Sequence, residues 1–287
     1  MNPPTNPPTN PPINPQHPVV FEGQRIAAQA EGAVLRVMLF NPPLGCMDAQ
    51  TESELLALLD RVDATPAWRV VVFSGRDAGV FVRHYDVAVL EQRGRAMAAR
   101  GLRFALDRPV PEAPLHRALA RIEASDRIFI AAINGTCMGG GFELALACDL
   151  RYAQAGRYRI GLPEINIGLL PGAGGTQKLQ RVMGAARALE TLLLGRTFEP
   201  AQAVEHGLVH ACVADVMAHA LALASELAAK PQPALGHIKR LARRAGQGDA
   251  AAGLADERTL FCDTLVSDAA LQRMAEMNAG QRDISDR

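Results

Sequence analysis

Residues 130–149 of the chain read IAAINGTCMGGGFELALACD, and the rest of the sequence is organised around this stretch. The apolar run at 128–133 has the composition of a buried β-strand. Asn134-Gly135 is a turn signal, and the Ala/Leu-rich segment at 143–148 favours helix over strand. The sequence therefore predicts a strand that leads through a glycine turn into a helix.

Gly139, Gly140 and Gly141 predict a binding cradle at the start of that helix. Glycine has no Cβ, so a ligand atom can approach the backbone closely. The first N–H groups of a helix have no intrahelical acceptor and can donate to an oxygen that gains negative charge. Glu143, in the same first turn, would place an acid/base group beside the cradle. The alternative is an ordinary tight turn whose glutamate only caps the helix or pairs with its dipole.

Two motifs together resemble the crotonase superfamily, the enoyl-CoA hydratase/isomerase family. The first is NGxxxGGGxELA followed by CD, at 134–149, and the second is PExxxGxxPGAGGTQ, at 163–177. Weaker resemblance extends from about Val34 to the C-terminus. The resemblance implies an α/β fold, with a crotonase-like ββα spiral core and a C-terminal α-helical oligomerisation region.

Composition excludes several other classes of protein. The 287 residues are 48% hydrophobic and 21% charged, which is typical of a globular protein. Thirty basic residues balance thirty acidic ones, so no basic surface for nucleic acid or an anionic membrane is expected. Five scattered cysteines form no CxxC pair and no metal-ligand spacing, which indicates buried thiols in a reducing cytoplasm and no metal site. No apolar run approaches a membrane span and no signal pattern is present, so we expect a cytoplasmic protein.

The chain divides into three predicted regions. Residues 1–18 repeat Asn-Pro-Pro and predict a disordered, polyproline-like tail, with a docking peptide as the alternative. Residues 19–195 carry strands and helices, which alternate from the strand at 69–73 onward and indicate parallel β-α units, so we expect the core and the active site there. Residues 196–287 are mainly helical, with the last helix predicted from 250 to about 278. The resemblance implies that this region forms a homotrimer or a dimer of trimers.

Glu143 and Glu164 are the predicted catalytic residues. Pro163 fixes the backbone just ahead of Glu164 and so gives its carboxylate a defined direction. Two carboxyls that share a half-buried pocket do not both ionise cheaply, so one pKa rises and the pair can divide into an acid and a base. The resemblance implies that Glu143 mainly activates water and that Glu164 mainly protonates the α-carbon.

The resemblance also implies an oxyanion hole made of the backbone N–H groups of Tyr85 and Gly140. His84 and Tyr85 stand where the family has Gly-Ala. Their side chains either simply pack beneath the next helix or, for His84, face the site as a proton shuttle. The residues that we expect to line the substrate pocket are His84, Gly139, Gly141, Pro163 and Gly172.

A second glycine-rich segment, PGAGGT at 171–176, superficially resembles a phosphate-binding loop. It lacks the Lys-Ser/Thr pair of that motif, so a nucleotide site is not expected. We predict instead that it packs closely beside the active site and that Thr176 caps the following helix.

The resemblance implies hydration of a 2-enoyl-CoA thioester by a lyase, with coenzyme A as part of the substrate and no separate cofactor. Both glutamates favour a hydratase over a CoA-thioester isomerase. Three positions depart from the family pattern around the coenzyme: the basic residue ahead of the family's Pro-x-x-Leu-Asn-Ala block is Asn41 here, the Asn of that block is Gly45, and the basic segment that reaches the coenzyme's phosphates is replaced by residues 278–281 (NAGQ). Two alternatives therefore stay open: a hydrolase of a non-CoA substrate such as a β-diketone, and a catalytically silent scaffold. The basic residues that could compensate are Arg69, Arg83 and Arg273.

Overall fold

The computed structural model describes residues 16–246 and 248–285, and this part of the chain forms two β-sheets surrounded by helices. Of the predicted tail, residues 1–15 lie outside the described residues. The larger sheet has seven strands, which in spatial order are β1 (Val19–Glu22), β2 (Ile26–Glu31), β3 (Val34–Leu39), β4 (Val70–Gly75), β6 (Ile128–Ile133), β8 (Leu150–Gln154) and β11 (Ala211–Val213).

The smaller sheet has four short strands. In spatial order they are β10 (Thr197–Phe198), β9 (Ile160–Gly161), β7 (Gly135–Met138) and β5 (Gly79–Val82). β5, β7 and β9 run parallel to one another, and β10 is antiparallel to β9.

The helices cover both faces of the larger sheet and form most of the C-terminal region. In chain order they are α1 (Ala49–Ala64), α2 (Val87–Ala99), α3 (Pro114–Ala124), α4 (Gly140–Ala147), α5 (Gly175–Met183), α6 (Ala185–Leu193), α7 (Pro200–Glu205), α8 (Val216–Ala228), α9 (Gln232–Arg244), α10 (Ala250–Leu265) and α11 (Asp268–Asn278).

Three successive units build a spiral in which each turn adds one strand to each sheet and then a helix. The units are β4-β5-α2, β6-β7-α4 and β8-β9 followed, after a short 3₁₀ turn, by α5. Strands β3, β4, β6, β8 and β11 are parallel, while β1, β2 and β3 form an antiparallel meander at one edge. This confirms the predicted ββα spiral core.

The turn predicted at Asn134-Gly135 is wrong, because the chain crosses there from one sheet to the other and forms β7 before the helix begins. The Asn134 side chain accepts a hydrogen bond from the Gly75 amide (3.0 Å) and donates one to the Gly75 carbonyl (2.9 Å). A Cβ on Gly135 would lie 1.8 Å from the carbonyl carbon of Gly79. The Asn-Gly pair is therefore a crossing point where two backbones touch.

The central strands are buried on both faces, as their continuous apolar sequences predict. On β4, Val71 and Phe73 belong to the core that contains α1 and α3, whereas Val70 and Val72 face α8. From α8, Ala220 and its apolar neighbours cover this second face of the sheet. The larger sheet is thus the middle layer, and its strands β4, β6 and β8 each lead at their carboxyl ends into the smaller sheet.

Two helix predictions are corrected. α5 begins after Gly174, which has φ of +94° and no capping side chain, so the predicted cap at Thr176 is wrong. The first N–H of α5, on Gly175, donates to a carboxylate from another element instead. The single helix predicted at 250–278 is divided into α10 and α11, because the Ser267 hydroxyl accepts from Ala270 N and starts a new helix.

Two kinds of feature are absent from residues 16–246 and 248–285. No helix there has the length and the apolar content that crossing a bilayer requires. No three His, Cys, Asp or Glu side chains in this part of the chain lie close enough together to hold a metal ion.

Candidate active site

The carboxyl ends of β5, β7 and β9 meet at one edge of the smaller sheet, because these strands are parallel neighbours. The loops that leave them contain residues 83–86, Gly139 and residues 162–164. Such an edge is where open α/β sheets commonly bind ligands. The spiral therefore brings together three segments that are far apart in the sequence.

Tyr85 and Gly140 face each other across this edge. A Cβ on Gly140 would lie 3.7 Å from the Tyr85 Cβ and 3.6 Å from the Met47 Sδ. Met47 N donates to His84 O and Asp86 N donates to Met47 O, both at 2.8 Å, so the Tyr85 N–H points away from Met47. Within the described part of the chain, neither the Tyr85 amide nor the Gly140 amide has a hydrogen-bond acceptor. Two amide donors without acceptors thus lie near each other.

Glu164 and His84 lie beside Gly139, next to this amide pair. Gly139 has φ of +51°, and a Cβ on it would lie 3.4 Å from Glu164 Oε1 and 3.6 Å from His84 Cβ. His84 Nδ1 lies 2.7 Å from the Tyr85 carbonyl oxygen, which only accepts, so this nitrogen carries the ring proton. The neutral imidazole then keeps an acceptor at Nε2.

Glu143 is buried, with 3% of its surface exposed, and is held by the second glycine-rich loop. Its Oε1 accepts hydrogen bonds from Ala173 N at 2.6 Å and from Gly175 N at 2.8 Å. The close approach requires glycine, since a Cβ on Gly175 would lie 2.7 Å from Pro171 Cβ and 3.0 Å from Glu143 Oε1. The loop that resembles a phosphate cradle therefore binds a carboxylate of the chain itself.

The two glutamates have different electrostatic surroundings. Burial raises the pKa of Glu143, and the Gly175 and Ala173 N–H groups oppose that rise. Burial also raises the pKa of Glu164, to about 7, and the nearby Glu143 charge adds to the effect. Glu164 Oε2 is buried and has no hydrogen-bond partner among the described residues. Glu143 thus has donors that favour its ionised form, whereas Glu164 favours the protonated form.

Comparison with known proteins identifies the family. The sequence model of the enoyl-CoA hydratase/isomerase family matches residues 29–280. The chain belongs to this family. It is 32% identical over 243 residues to a probable enoyl-CoA hydratase of Mycobacterium leprae, covering 83% of this chain and 89% of that protein. It is 34% identical over 199 residues to the fatty acid oxidation complex subunit alpha of Shewanella amazonensis, of which it spans 27%.

Solved structures agree with this assignment. An enoyl-CoA hydratase from Polaromonas sp. JS666 has a TM-score of 0.79 at 26% identity, covering 90% of this chain and 98% of that one. DspI from Pseudomonas aeruginosa has a TM-score of 0.79 at 26% identity, covering 93% and 99%. The predicted crotonase resemblance and fold class are confirmed, and the named relatives support an enzyme of the hydratase type.

Gly141, Pro163 and Gly172, which were expected to line the pocket, lie close in the fold to the two glutamates. Gly141 packs on β5, where a Cβ would lie 2.5 Å from the Val82 carbonyl oxygen. Pro163 precedes the 3₁₀ turn Glu164–Ile167 and so directs Glu164 inward from its first position. Gly172 is exposed, and its carbonyl oxygen lies 2.7 Å from His116 Nε2. These residues shape the loops that carry the two glutamates.

The Tyr85 side chain packs against α1 and α2. Burial raises the pKa of its hydroxyl to about 12, and the neighbouring Glu52 carboxylate adds to that rise. The Arg93 guanidinium lies over the ring, 5.8 Å from its centroid. Tyr85 therefore offers the site its backbone N–H, while the phenol is part of the packing that fixes the loop.

Sequence reasoning missed two residues around Glu143. Lys178 on α5 lowers the pKa of Glu143 against the effect of burial, and a protonated His116 on α3 would do the same. Lys178 Nζ lies 3.4 Å from Ala173 O and 3.3 Å from the Glu123 carboxylate. Neither residue belongs to a recognisable motif. Their role depends on the spiral bringing α3 and α5 together.

Asp149, at the end of the first motif, holds secondary-structure elements together. Its carboxylate accepts from Phe129 N at 2.8 Å and forms ion pairs with Lys239 (3.0 Å) and Arg243 (2.8 Å). Arg243 also donates to Ala147 O at the end of α4. The Cys-Asp part of the motif therefore ties β6 and α4 to α9, at the far end of α4 from the glutamates.

Proposed function

We propose that the protein is an enoyl-CoA hydratase, a lyase that adds water to a 2-enoyl-CoA thioester. The observation that carries the proposal is the pair of unpartnered amides on Tyr85 and Gly140, placed beside Glu143 and Glu164. An amide pair of this kind suits an oxygen that becomes negatively charged during the reaction. Two carboxyls with different surroundings can divide the roles of acid and base.

In the proposed reaction the thioester carbonyl oxygen lies between the two amides. Glu143 takes a proton from a water molecule while the water oxygen bonds to the β-carbon. The C=C π electrons move toward the carbonyl and give an enolate, whose oxygen accepts from Tyr85 N–H and Gly140 N–H. Glu164 then delivers a proton to the α-carbon, and the carbonyl reforms. The product is a 3-hydroxyacyl thioester, and no separate cofactor takes part.

The division of roles follows from the hydrogen bonds. Glu143 accepts two backbone N–H bonds at Oε1, which favour its carboxylate form and suit a base. Glu164 has a pKa raised to about 7 and a buried oxygen without a partner, so it holds a proton near neutral pH and suits an acid. His84 and Gly139 flank Glu164, and we assign them to the pocket wall.

Binding of coenzyme A is expected to be weaker than in relatives that have the full basic set. Arg69 donates to the carbonyls of Ala228 and Lys230, and Arg273 donates to Ala229 O, so both serve the C-terminal helices. Arg83, exposed and adjacent to His84, is the remaining candidate for a phosphate contact. A phosphate left without a cation costs about 1 to 3 kcal/mol of affinity, which raises KM without abolishing binding.

The decisive assay follows the absorbance of the conjugated thioester across a panel of 2-enoyl-CoA chain lengths. We expect hydration of a short or aryl substrate, and a loss of at least about a hundredfold in turnover for Glu143→Gln and for Glu164→Gln. Thermal melting of each variant is the control for folding. A β-diketone is assayed in parallel. Diketone cleavage without any change in the enoyl-CoA panel would replace the hydratase by a hydrolase, and inertness toward both would favour a scaffold.

We further propose a cytoplasmic homotrimer or dimer of trimers. Large apolar side chains on α10 and α11 are exposed in the single chain, among them Leu254 (56%), Phe261 (64%) and Leu271 (51%). Exposed apolar surface of this extent is typical of a contact between subunits. Light scattering coupled to size exclusion measures the mass directly, and a monomer at micromolar concentration would contradict this proposal.

A further inference from the structure

His116 joins the first turn of α3 to the loop that holds Glu143. Its Nδ1 accepts a hydrogen bond from Ala113 N at 3.1 Å, so this nitrogen carries no proton. Its Nε2 lies 2.7 Å from Gly172 O, and since a carbonyl only accepts, Nε2–H is the donor. The two contacts together define one neutral tautomer of the ring.

A single peptide group connects His116 to Glu143. The carbonyl of Gly172 and the N–H of Ala173 belong to the same planar peptide unit. The carbonyl accepts from His116 Nε2 (2.7 Å) and the N–H donates to Glu143 Oε1 (2.6 Å). A hydrogen bond to the oxygen of an amide polarises it and strengthens its N–H as a donor. The imidazole is therefore connected to the carboxylate through one peptide group and two hydrogen bonds.

On its Gly172 side, this peptide group has little else to hold its orientation. Gly172 is exposed, and no atom lies within 4 Å of where its Cβ would be. Gly174, one residue beyond Ala173, has φ of +94°. Rotation of the peptide plane changes ψ of Gly172, to which glycine gives wide freedom, and φ of Ala173, which is 5% exposed. Rotation would turn the Ala173 N–H away from Glu143 and leave one donor, Gly175 N–H, at the carboxylate.

We propose that His116 is a positioning residue that locks the peptide between Gly172 and Ala173, so that its N–H points at Glu143. The proposal rests on the catalytic role proposed for Glu143. It accounts for a buried carboxylate that has to stay ionised to act as a base. Burial raises the pKa of Glu143, and the effects that oppose burial come from the Gly175 and Ala173 amides and then from the Lys178 charge, with a contribution from the His116 charge only when that ring is protonated. Glu164 is also nearby, and the Glu143 charge raises its pKa.

Two substitutions separate this role from simple helix capping. His116→Asn keeps an acceptor near Nδ1 for the Ala113 amide but is too short to reach Gly172. His116→Gln is long enough for its amide to donate to the Gly172 carbonyl. If His116 locks the peptide, Gln should restore function and Asn should not. If His116 only caps α3, the reverse should hold. Arg117→Ala, an exposed change at the next residue, is the matched control.

In steady-state kinetics we expect His116→Ala and His116→Asn to lower kcat about ten- to hundredfold with little change in KM, because the base is misplaced rather than the substrate. The acid limb of the pH profile should move to higher pH, since a Glu143 with fewer donors has a higher pKa and is less ionised at a given pH. His116→Gln should recover most of kcat and return the acid limb of the pH profile to its wild-type position. Arg117→Ala should match wild type throughout.

A second measurement needs no turnover. Infrared difference spectra against Glu143→Gln identify the carboxyl band of Glu143, and its titration gives the midpoint directly. The midpoint should rise in His116→Ala and His116→Asn and return in His116→Gln. An unchanged midpoint in folded His116→Ala, or Asn restoring it as well as Gln, would overturn the proposal. If wild type hydrates no enoyl thioester, the proposed function fails, yet this titration still decides the role of His116.

Discussion

The two glycine-rich loops, 139–141 and 171–175, have the same local chemistry and different positions in the fold. Each opens a helix whose first N–H groups lack intrahelical acceptors. The Gly140 amide has no acceptor in the described part of the chain, whereas the Gly175 amide donates to Glu143. The second glycine-rich helix start therefore binds a carboxylate of the chain itself. The first has no such partner, and the proposed function assigns it to the oxygen of the substrate.

The largest expected effect removes the amide of the first loop. Gly140 is the first residue of α4, a position where proline fits because its missing N–H has no helical partner. Gly140→Pro should lower kcat/KM on an enoyl-CoA about a hundred- to a thousandfold, through the loss of one oxyanion donor. The enoyl-CoA assay above measures it.

Gly140→Ala is the matched control, since it adds a Cβ but keeps the N–H. That Cβ would lie 3.6 Å from Met47 Sδ and 3.7 Å from Tyr85 Cβ, which are ordinary contacts. The alanine variant should therefore stay close to wild type. If a folded, correctly assembled Gly140→Pro enzyme were as active as Gly140→Ala, the oxyanion site would lie elsewhere and the contrast between the loops would be lost.

The second loop should respond to added volume rather than to a lost donor. A Cβ on Gly175 would lie 2.7 Å from Pro171 Cβ, 2.8 Å from Leu162 Cδ1 and 3.0 Å from Glu143 Oε1. We expect Gly175→Ala to lower the free energy of unfolding by about 1 to 3 kcal/mol, the usual cost of overpacking. Gly172→Ala, in the same loop but in open space, should change it by less than about 0.5 kcal/mol. Urea unfolding of both variants tests this, and equal stabilities would mean that the loop is not closely packed.

The first motif alone predicted much of this site. The residues at 128–149 indicated a strand, a glycine cradle and Glu143 in the first turn of a helix, and the structure places all three in that order with β7 inserted. β7 was missed because an Asn-Gly pair commonly marks a turn, and only the contact of Gly135 with Gly79 reveals a crossing between sheets. Local sequence thus identified the chemistry better than the path of the chain.

What the sequence did not predict is how the loops are used. The segment at 171–175 was expected only to pack closely, and its amides were not connected with Glu143, because that contact joins residues about thirty positions apart. His116 carried no motif at all, and its contact with Gly172 spans a still longer separation. Such pairs follow from the spiral, which stacks α3, α4 and α5 around one end of the smaller sheet. Periodicity and composition do not predict such contacts between residues that are distant in the sequence.

The smallest expected effect concerns the difference between the two carboxylates, and it depends on pH. Glu164 lacks the donors that Glu143 has, and its pKa is raised from 4.5 to about 7 in the folded state. Below about pH 4.5 it is protonated in both states, so burial costs nothing. As the pH rises, Glu164 ionises first in the unfolded state, and above about 7 the folded state bears the full free-energy cost of burying the charged carboxylate.

Glu164→Gln replaces this ionisable group by a neutral one of nearly the same shape. We therefore expect it to stabilise the protein by about 1 to 2 kcal/mol at pH 8, after allowance for solvent screening of the partly exposed side chain, and to have no effect near pH 4. Glu112→Gln, at an exposed position, should show no such dependence. Urea unfolding at the two pH values measures the difference, and a gain that was equal at both would mean that Glu164 is not held protonated by its surroundings.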